Sequence, residues 1–242
     1  MNAFIEVMSN QSQEKVLLSD SNKPKGSDWN AFHKANQGRA LRPFYIELQR
    51  LLAREGVKSS GAQSSGLKPS GVTPSSMSPK GAMELGCGTG EETLDLLHRG
   101  WQVLAIDHAE AAIEELANRV PEGNRSRATL KVSRFEDLTD LKPVHLVYSF
   151  QSLSFCPPPE FEAFWKRVLS WVEPGGIFAG TLFGPNDQWV ACGKVSAISE
   201  KDLRASLEGF EILHWREIDK LGSTALQGEK HWHYFEVVAR KD

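Results

Sequence analysis

The stretch Ala82-Met-Glu-Leu-Gly-Cys-Gly-Thr-Gly90 decides the fold, because apolar residues lead into three alternating glycines. Glycine permits positive φ and lets a ligand approach the backbone, so the pattern predicts a strand over Gly81 to Leu85 that ends in a turn. A helix from Glu91 to His98 is predicted to follow. A strand, a glycine turn and a helix in this order indicate a nucleotide-binding α/β unit.

The residues after the glycines separate two kinds of nucleotide cofactor. Counted from Gly86, the dinucleotide fingerprint G-x-G-x-x-G requires a third glycine at position 91, where this chain has Glu91, followed by Glu92. Two carboxylates in the first turn of a helix suit its dipole but repel a pyrophosphate. The sequence therefore favours a nucleotide cofactor without phosphates.

A second strand, from Gln102 to Asp107, places an acid at a strand tip about 20 residues beyond the glycines. A carboxylate there is positioned to bind the two hydroxyls of a ribose. Asp107 is also a candidate N-cap for a helix that is predicted from Ala109 to Arg119. The two roles are compatible.

Glu84-Leu-Gly-Cys-Gly-Thr-Gly90, with Asp107 behind it, resembles motif I and the second-strand acid of class I methyltransferases that depend on S-adenosyl-L-methionine (SAM). The resemblance implies SAM as cofactor and S-adenosyl-L-homocysteine (SAH) as product. It also implies that Gly86, Cys87, Gly88 and Gly90 present backbone to the amino acid end of SAM, and that Glu84 holds its ammonium directly or through water. A salt bridge from Glu84 to an arginine of the N-terminal helices is the alternative, since a buried carboxylate needs a partner.

The pattern of elements predicts an α/β fold of the Rossmann-like class I methyltransferase type. Strands and helices alternate up to a strand predicted at Gly176 to Leu182, which implies a mostly parallel sheet with helices on both faces. Two strands in succession, Phe210 to Glu217 and His231 to Ala239, then break the alternation. They resemble the end of the seven-stranded methyltransferase sheet, in which an antiparallel last strand lies between the fifth and sixth.

Both ends of the chain resemble one branch of this class, the small-molecule, tellurite-resistance-type methyltransferases. The resemblance rests on Trp29-x-x-Phe-His with Gly38-Arg39 and Arg42-Pro43, and on a tail that includes Gly228-Glu-Lys-His-Trp-His. It implies that the N-terminal helices cover the cofactor, with Arg39 or Arg42 near its carboxylate.

Further cofactor contacts are expected after the second, third and fourth strands. Phe135 and Glu136 are candidate neighbours of adenine, although Arg134 takes the position where family members often have an acid. His108 is a candidate for the adenine face, with an exposed loop position as the alternative. Ser149 ends the strand predicted at Val144 to Ser149 and lies where motif IV falls in this superfamily.

The acceptor is expected to be a small molecule. Ser149-Phe150-Gln151-Ser152 lacks the motifs of nucleic-acid base methyltransferases, and a formal net charge of -3 gives no general attraction to nucleic acid or anionic lipid. Phe155, Trp189, His231 and His233 are the candidate acceptor residues, with packing and hydrogen bonding as the alternative for the two histidines. No metal is predicted, because no third or fourth ligand accompanies the histidines, and no single catalytic base is marked.

The chain is predicted to have four parts. They are a disordered leader (1–26), an N-terminal helical lid (27–56), a flexible Ser/Gly/Pro linker (57–80) and the SAM-dependent methyltransferase domain (81–242). Three cysteines without C-x-x-C spacing indicate neither a disulfide framework nor a zinc site, and no run is apolar enough to cross a membrane. A cytoplasmic location is therefore expected, as a monomer or homodimer.

The expected activity is methyl transfer from SAM to a small-molecule acceptor by in-line displacement. Two alternatives stay open at this point. One is a non-catalytic SAM-binding sensor or partner subunit, because no base is marked. The other, disfavoured by Glu91, is an NAD-dependent oxidoreductase, which shares the strand, the glycines and the acid.

Overall fold

The computed structural model describes residues 29–55, 80–193, 195–224 and 228–242. The predicted leader and nearly all of the predicted linker lie outside these residues. The helices are α1 Trp29–Asn36, α2 Pro43–Arg54, α3 Glu91–His98, α4 Glu110–Arg119, α5 Pro158–Ser170, α6 Gln188–Ala191 and α7 Glu200–Ser206. The strands are β1 Gly81–Leu85, β2 Gln102–Asp107, β3 Ala128–Val132, β4 Val144–Ser149, β5 Val172–Phe183, β6 Phe210–Ser223 and β7 Glu229–Lys241.

The seven strands form one sheet in the order β3-β2-β1-β4-β5-β7-β6. The strands from β1 to β5 pair in parallel, and β7 pairs antiparallel with both β5 and β6. The predicted fold class is confirmed, including the position of the last strand. Since β7 runs against the others, its first residues lie at the edge where β1, β2, β4 and β5 end.

Alternation along the central strands directs side chains to two apolar layers. In β1, Met83 and Leu85 join the layer that contains α5, whereas Ala82 faces the layer that contains α2 and α3. Glu84 lies on the same face as Ala82, because it is two residues further along. A carboxylate in the middle of the sheet therefore points at α3 and the N-terminal helices.

Two strand boundaries differ from the sequence prediction for identifiable reasons. Strand β5 begins at Val172 rather than at Gly176, because the Pro174-Gly175 turn is absorbed as a bulge between the pairs Val144↔Val172 and Leu146↔Ile177. The β6–β7 hairpin continues to the pair Ser223↔Glu229, although the two strands were predicted only over Phe210 to Glu217 and His231 to Ala239. Since β5 ends opposite Tyr234, the far part of this hairpin projects beyond the sheet at the edge where the parallel strands end.

Candidate cofactor and acceptor site

The glycine turn after β1 has the left-handed backbone that its composition predicts. Gly86 has φ 75° and Gly90 has φ 81°, values that residues with side chains rarely adopt. A Cβ at Gly86 would lie 2.3 Å from Cβ of Ser152, and one at Gly90 would lie 2.3 Å from Cδ1 of Leu116. The glycines therefore let the turn pack against the loop after β4 and against α4, which brings the ends of neighbouring strands together.

Asp107 lies at the tip of β2 and is bonded to this turn. Its Oδ2 accepts the backbone N–H of Gly88 at 2.8 Å, and its Oδ1 accepts that of Ala109 at 2.9 Å. Burial alone raises the pKa of Asp107, but hydrogen bonds from His108 and the two backbone N–H groups outweigh burial and hold the pKa below its ordinary value. Asp107 is thus a fixed, charged carboxylate between the glycine turn and α4, and its predicted capping role is present.

Glu84 is buried beneath the turn, and its Oε2 accepts a hydrogen bond from the hydroxyl of Thr93. Burial raises the pKa of Glu84 well above its ordinary value, and the nearby charge of Glu92 raises it further. The arginine bridge that the sequence left open as an alternative is made by Glu92 instead. A cation brought close to Glu84 would offset the cost of its burial, which is the property expected of a group that meets an ammonium.

The two acids at the start of α3 hold the N-terminal segment. Arg39 makes a bidentate ion pair with Glu92, which is completely buried, and Arg42 Nη1 lies 2.8 Å from Glu92 Oε2. Glu91 pairs with Arg119 at 2.7 Å and accepts the backbone N–H of Gly38 at 2.8 Å. The predicted site residue Arg39 therefore contacts Glu92 in this structure.

These pairs weaken one step of the sequence argument. Two free carboxylates would repel a pyrophosphate, but here Glu91 and Glu92 are largely neutralised by arginines. The steric argument against a dinucleotide cofactor is unaffected, because position 91 carries a long side chain where the dinucleotide fingerprint has a glycine.

Helix α1 lies over the turn through His33, which the sequence analysis included in the Trp29-x-x-Phe-His motif without giving it a role of its own. A Cβ on Gly88 would lie 3.2 Å from Nδ1 of His33. Burial lowers the pKa of His33, while the charge of Asp107 raises it. Beside it, His33, Thr89 and residues of α4 line a cavity of about 170 Å³.

The loop after β4 is tied to the end of β1 by hydroxyl groups. Ser149 is completely buried, and its Oγ donates to the carbonyl of Leu85 at 2.8 Å. Ser152 donates to the same carbonyl at 2.7 Å. Between them Gln151 adopts φ 50°, and its N–H donates to Oγ1 of Thr181 on β5. Ser149 therefore supports the turn from beneath, and Ser152 is a contact that the sequence did not indicate.

The residues predicted near adenine flank the other side of the turn. Cζ of Phe135 lies 3.6 Å from the position of a Cβ on Gly86, and its ring stacks on Phe164 with centroids 5.0 Å apart. Glu136 pairs with the exposed Arg134 at 3.1 Å. His108 is half exposed, with Nδ1 3.3 Å from Oδ1 of Asp107. These contacts bring Phe135 to the glycine turn and leave the adenine assignment a prediction.

The buried cysteines are not thiolates. Cys87 packs within the turn, and burial raises its pKa well above the ordinary thiol value. Burial likewise raises the pKa of Cys156 to about 12. A thiol in this state is a poor nucleophile.

Four aromatic residues meet where β4 and β5 end and β7 begins. Phe155 and Trp189, both predicted, have centroids 6.0 Å apart, and Phe183 and Trp232 complete the cluster. The ammonium of Lys230 lies 3.7 Å from the ring centroid of Trp189 and 3.9 Å from that of Trp232. The cation at the faces of Trp189 and Trp232 is therefore a side chain of the protein itself, Lys230.

The two predicted histidines of β7 have partners on the hairpin and on the loop after β5. His233 is buried, its Nδ1 accepts the N–H of Asn186 at 2.9 Å, and its Nε2 lies 2.9 Å from Oε1 of Glu217. His231 pairs with Asp219. The packing alternative left open for His233 fits this arrangement better than contact with an acceptor.

Glu217, Asp219 and His233 place their ligand-type atoms within 4.8 Å of one another. Because Nδ1 of His233 accepts an N–H, the ring proton is on Nε2, and that nitrogen has no lone pair for a metal. We assign no metal to this group.

Residues 82–176 match the family model described as "Methyltransferase domain". Similar solved structures include TehB from Haemophilus influenzae, which is 19% identical with a TM-score of 0.56. That match covers 69% of this chain and 59% of TehB, less than two thirds of its length.

Two further structures match over more of their length. Magnesium protoporphyrin IX methyltransferase from Synechocystis PCC 6803, with bound SAM, is 14% identical with a TM-score of 0.59, over 90% of this chain and 92% of that one. N-methyltransferase NodS from Bradyrhizobium japonicum WM9 is 14% identical with a TM-score of 0.55, over 83% and 97%. No curated protein sequence matches the chain.

Residues 82–176 thus carry a methyltransferase domain, and the sheet order is the one predicted for the class I methyltransferase fold. The methyltransferase domain and the fold class predicted from the sequence are confirmed, and the predicted cofactor accords with the SAM bound in the similar Synechocystis structure. The likeness to TehB supports the fold, and the branch resemblance stays a prediction. In the described parts of the chain, no helix is both long and apolar enough to span a bilayer.

Proposed function

We propose that this protein transfers the methyl group of SAM to a small-molecule acceptor, with the cofactor held at the turn between β1 and α3. The observation that carries the proposal is the Asp107 carboxylate, which is buried, charged and fixed between Gly88 and Ala109. A carboxylate at this place is suited to two neighbouring hydroxyls, as in a ribose.

The second supporting observation is the buried acid of β1. Glu84 lies under the turn with a raised pKa and a hydroxyl partner, so an ammonium group is the ligand that would stabilise it most. Asp107 and Glu84 would then bind the ribose and the amino acid end of one cofactor. The backbone at Gly86, Cys87, Gly88 and Gly90, with Phe135, Glu136, His108 and Ser149 around it, would complete the cofactor site.

SAM supplies a methyl group on a sulfonium, so its transfer is an in-line displacement. The task of the chain is mainly to align the acceptor with that methyl group, and alignment of this kind contributes roughly 7–11 kcal/mol in well-oriented systems. A general base is required only where the acceptor starts protonated. We assign none of the described residues to that role.

The acceptor is proposed to be small because two similar structures carry names of small-molecule enzymes. One is the magnesium protoporphyrin IX methyltransferase described above. Another is a 1,6-didemethyltoxoflavin-N1-methyltransferase from Burkholderia thailandensis that contains its acceptor and SAH. A cytoplasmic location and a partner set without nucleic acid stay predictions.

Incubation with methyl-labelled SAM and a panel of thiols, oxyanions, amines and phenols tests the proposal. We expect SAH to form together with one labelled small product. SAM binding without SAH formation on any acceptor would favour a non-catalytic sensor. Binding of NAD in place of SAM would favour the oxidoreductase.

A further inference from the structure

At the end of β5 a buried ion pair forms the centre of the aromatic cluster. Nζ of Lys230 pairs with Oδ1 of Asp187, and both side chains are almost completely buried. Asp187 also accepts the N–H of Trp189 at 2.9 Å and the N–H of His233 at 3.1 Å. One carboxylate thus joins the start of α6 to the start of β7.

The same pair sets the orientation of two tryptophans. Lys230 lies over the faces of Trp189 and Trp232, whose rings are 5.3 Å apart and inclined at 62°. Phe183 supports both rings from the buried side, with centroids 5.9 Å and 6.1 Å away. Loss of Lys230 would leave Asp187 as an unpaired buried charge, which is strongly unfavourable, so the ring positions depend on the pair.

Three rings of the cluster keep part of their surface exposed. They are Phe155, Trp189 and Trp232, which come from the loop after β4, from α6 and from β7. All three positions lie at the edge where the parallel strands end, on the β4–β5 side of the glycine turn. We call these three residues the aromatic wall.

The chemistry of the aromatic wall favours one kind of ligand. The charges of Lys230 and Asp187 neutralise each other, so the pair offers an anion no net positive charge. A ligand cation is not favoured either, because Lys230 already occupies a ring face that would attract it. Tilted and edge-to-face rings are the arrangement into which a further aromatic ring packs well. A neutral planar ring is therefore the ligand that this surface suits.

We propose that the methyl acceptor is an uncharged planar aromatic molecule that packs on the aromatic wall, and that Lys230 and Asp187 are the positioning residues of that wall. The inference deepens the proposed function and rests on it. It also separates this chain from an enzyme for inorganic oxyanions, because the described residues at the wall pair their one cation, Lys230, with Asp187.

Calorimetric titration of the SAH-saturated full-length protein tests the inference. The probes are 8-hydroxyquinoline as a planar aromatic, tellurite as an inorganic oxyanion and ethanolamine as a small cation. We expect 8-hydroxyquinoline to bind most tightly. Trp189→Leu should weaken its binding about tenfold and leave SAH affinity within twofold of wild type. Trp215→Leu is the control, since Trp215 packs on Phe235 and Arg204 instead.

The ion pair is tested by rescue. Lys230→Met should weaken 8-hydroxyquinoline binding, and Lys230→Met combined with Asp187→Asn should restore part of it, because no unpaired charge is then buried. If the ion pair only stabilised the fold, Lys230→Met would weaken SAH binding as much as it weakens 8-hydroxyquinoline binding.

Two results would overturn the inference. One is tighter binding of tellurite or ethanolamine than of 8-hydroxyquinoline, or no binding of 8-hydroxyquinoline, by a protein that binds SAH. The other is an equal effect of Trp189→Leu and Trp215→Leu on 8-hydroxyquinoline binding. Failure of the wild-type protein to bind SAH would instead overturn the proposed function on which the inference rests.

Discussion

At the scale of single residues, the buried Glu84 makes the stability of the fold depend on pH. Its pKa is raised by burial first and by Glu92 second, so the folded protein holds this proton more tightly than the unfolded chain. A raised carboxyl pKa means that stability falls as pH rises above the ordinary glutamate pKa of about 4.3. In the cofactor-free protein, the contribution of Glu84 to stability should therefore decrease between acid and neutral pH.

Glu84→Gln keeps a hydrogen-bonding partner for Thr93 and removes this titration. We predict that the cofactor-free variant is more stable than wild type at pH 7, that the difference shrinks towards pH 4.5, and that its SAH affinity is lower. Urea unfolding across this pH range measures the two stability differences, and calorimetry measures the SAH affinity. A variant less stable than wild type at pH 7 would mean that Glu84 is held as a stabilised anion.

Gly86 tests the packing of the turn. Gly86→Ala places a Cβ 2.3 Å from Cβ of Ser152 at a residue with φ 75°, so both overpacking and backbone strain result. We predict a loss of roughly 2–4 kcal/mol in the free energy of unfolding. Gly123→Ala is the control, because nothing lies within 4 Å of its Cβ position. Equal unfolding free energies for the two variants would contradict this account of the turn.

At the scale of elements, the N-terminal helices are held on α3 by a buried carboxylate. Glu92 is inaccessible, while the side chains of Arg39 and Arg42 are 19% and 23% exposed. Breaking a buried pair leaves a charge uncompensated, and the partial exposure of the arginines reduces the effect to about 2–4 kcal/mol. That energy holds α1 and α2 against the glycine turn.

Arg39→Met combined with Arg42→Met should therefore release α1 and α2 more often. Hydrogen exchange of the amides in Phe44 to Leu52 measures this, and we predict faster exchange with little change in β1 and β4. Arg50→Met is the matched control, because Arg50 is 67% exposed and pairs with Glu47 three residues before it on the same helix. Unchanged exchange in the double variant would show that apolar packing alone holds the segment.

At the scale of the whole molecule, sequence patterns were enough to predict the sheet and the turn. Strand alternation, three glycines and an acid at a strand tip are local signals that predicted the mostly parallel sheet and the turn, and the position of the antiparallel last strand followed from the family resemblance. The partners of Glu92 and Lys230 could not be predicted, because each contact joins residues that are far apart in the chain: Arg39 lies 53 residues from Glu92, and Asp187 lies 43 from Lys230. Helix α6 is missed because its four residues are too short for a periodic signal.

The measurement that tests the central claim most directly is a calorimetric titration of wild type and Asp107→Ala with SAH and with NAD. We predict that wild type binds SAH and not NAD. Asp107→Ala should bind SAH at least tenfold more weakly, a loss of about 1.4 kcal/mol or more, and still unfold cooperatively. Unchanged SAH affinity in Asp107→Ala, or wild-type binding of NAD in preference to SAH, would contradict the assignment of the turn to SAM.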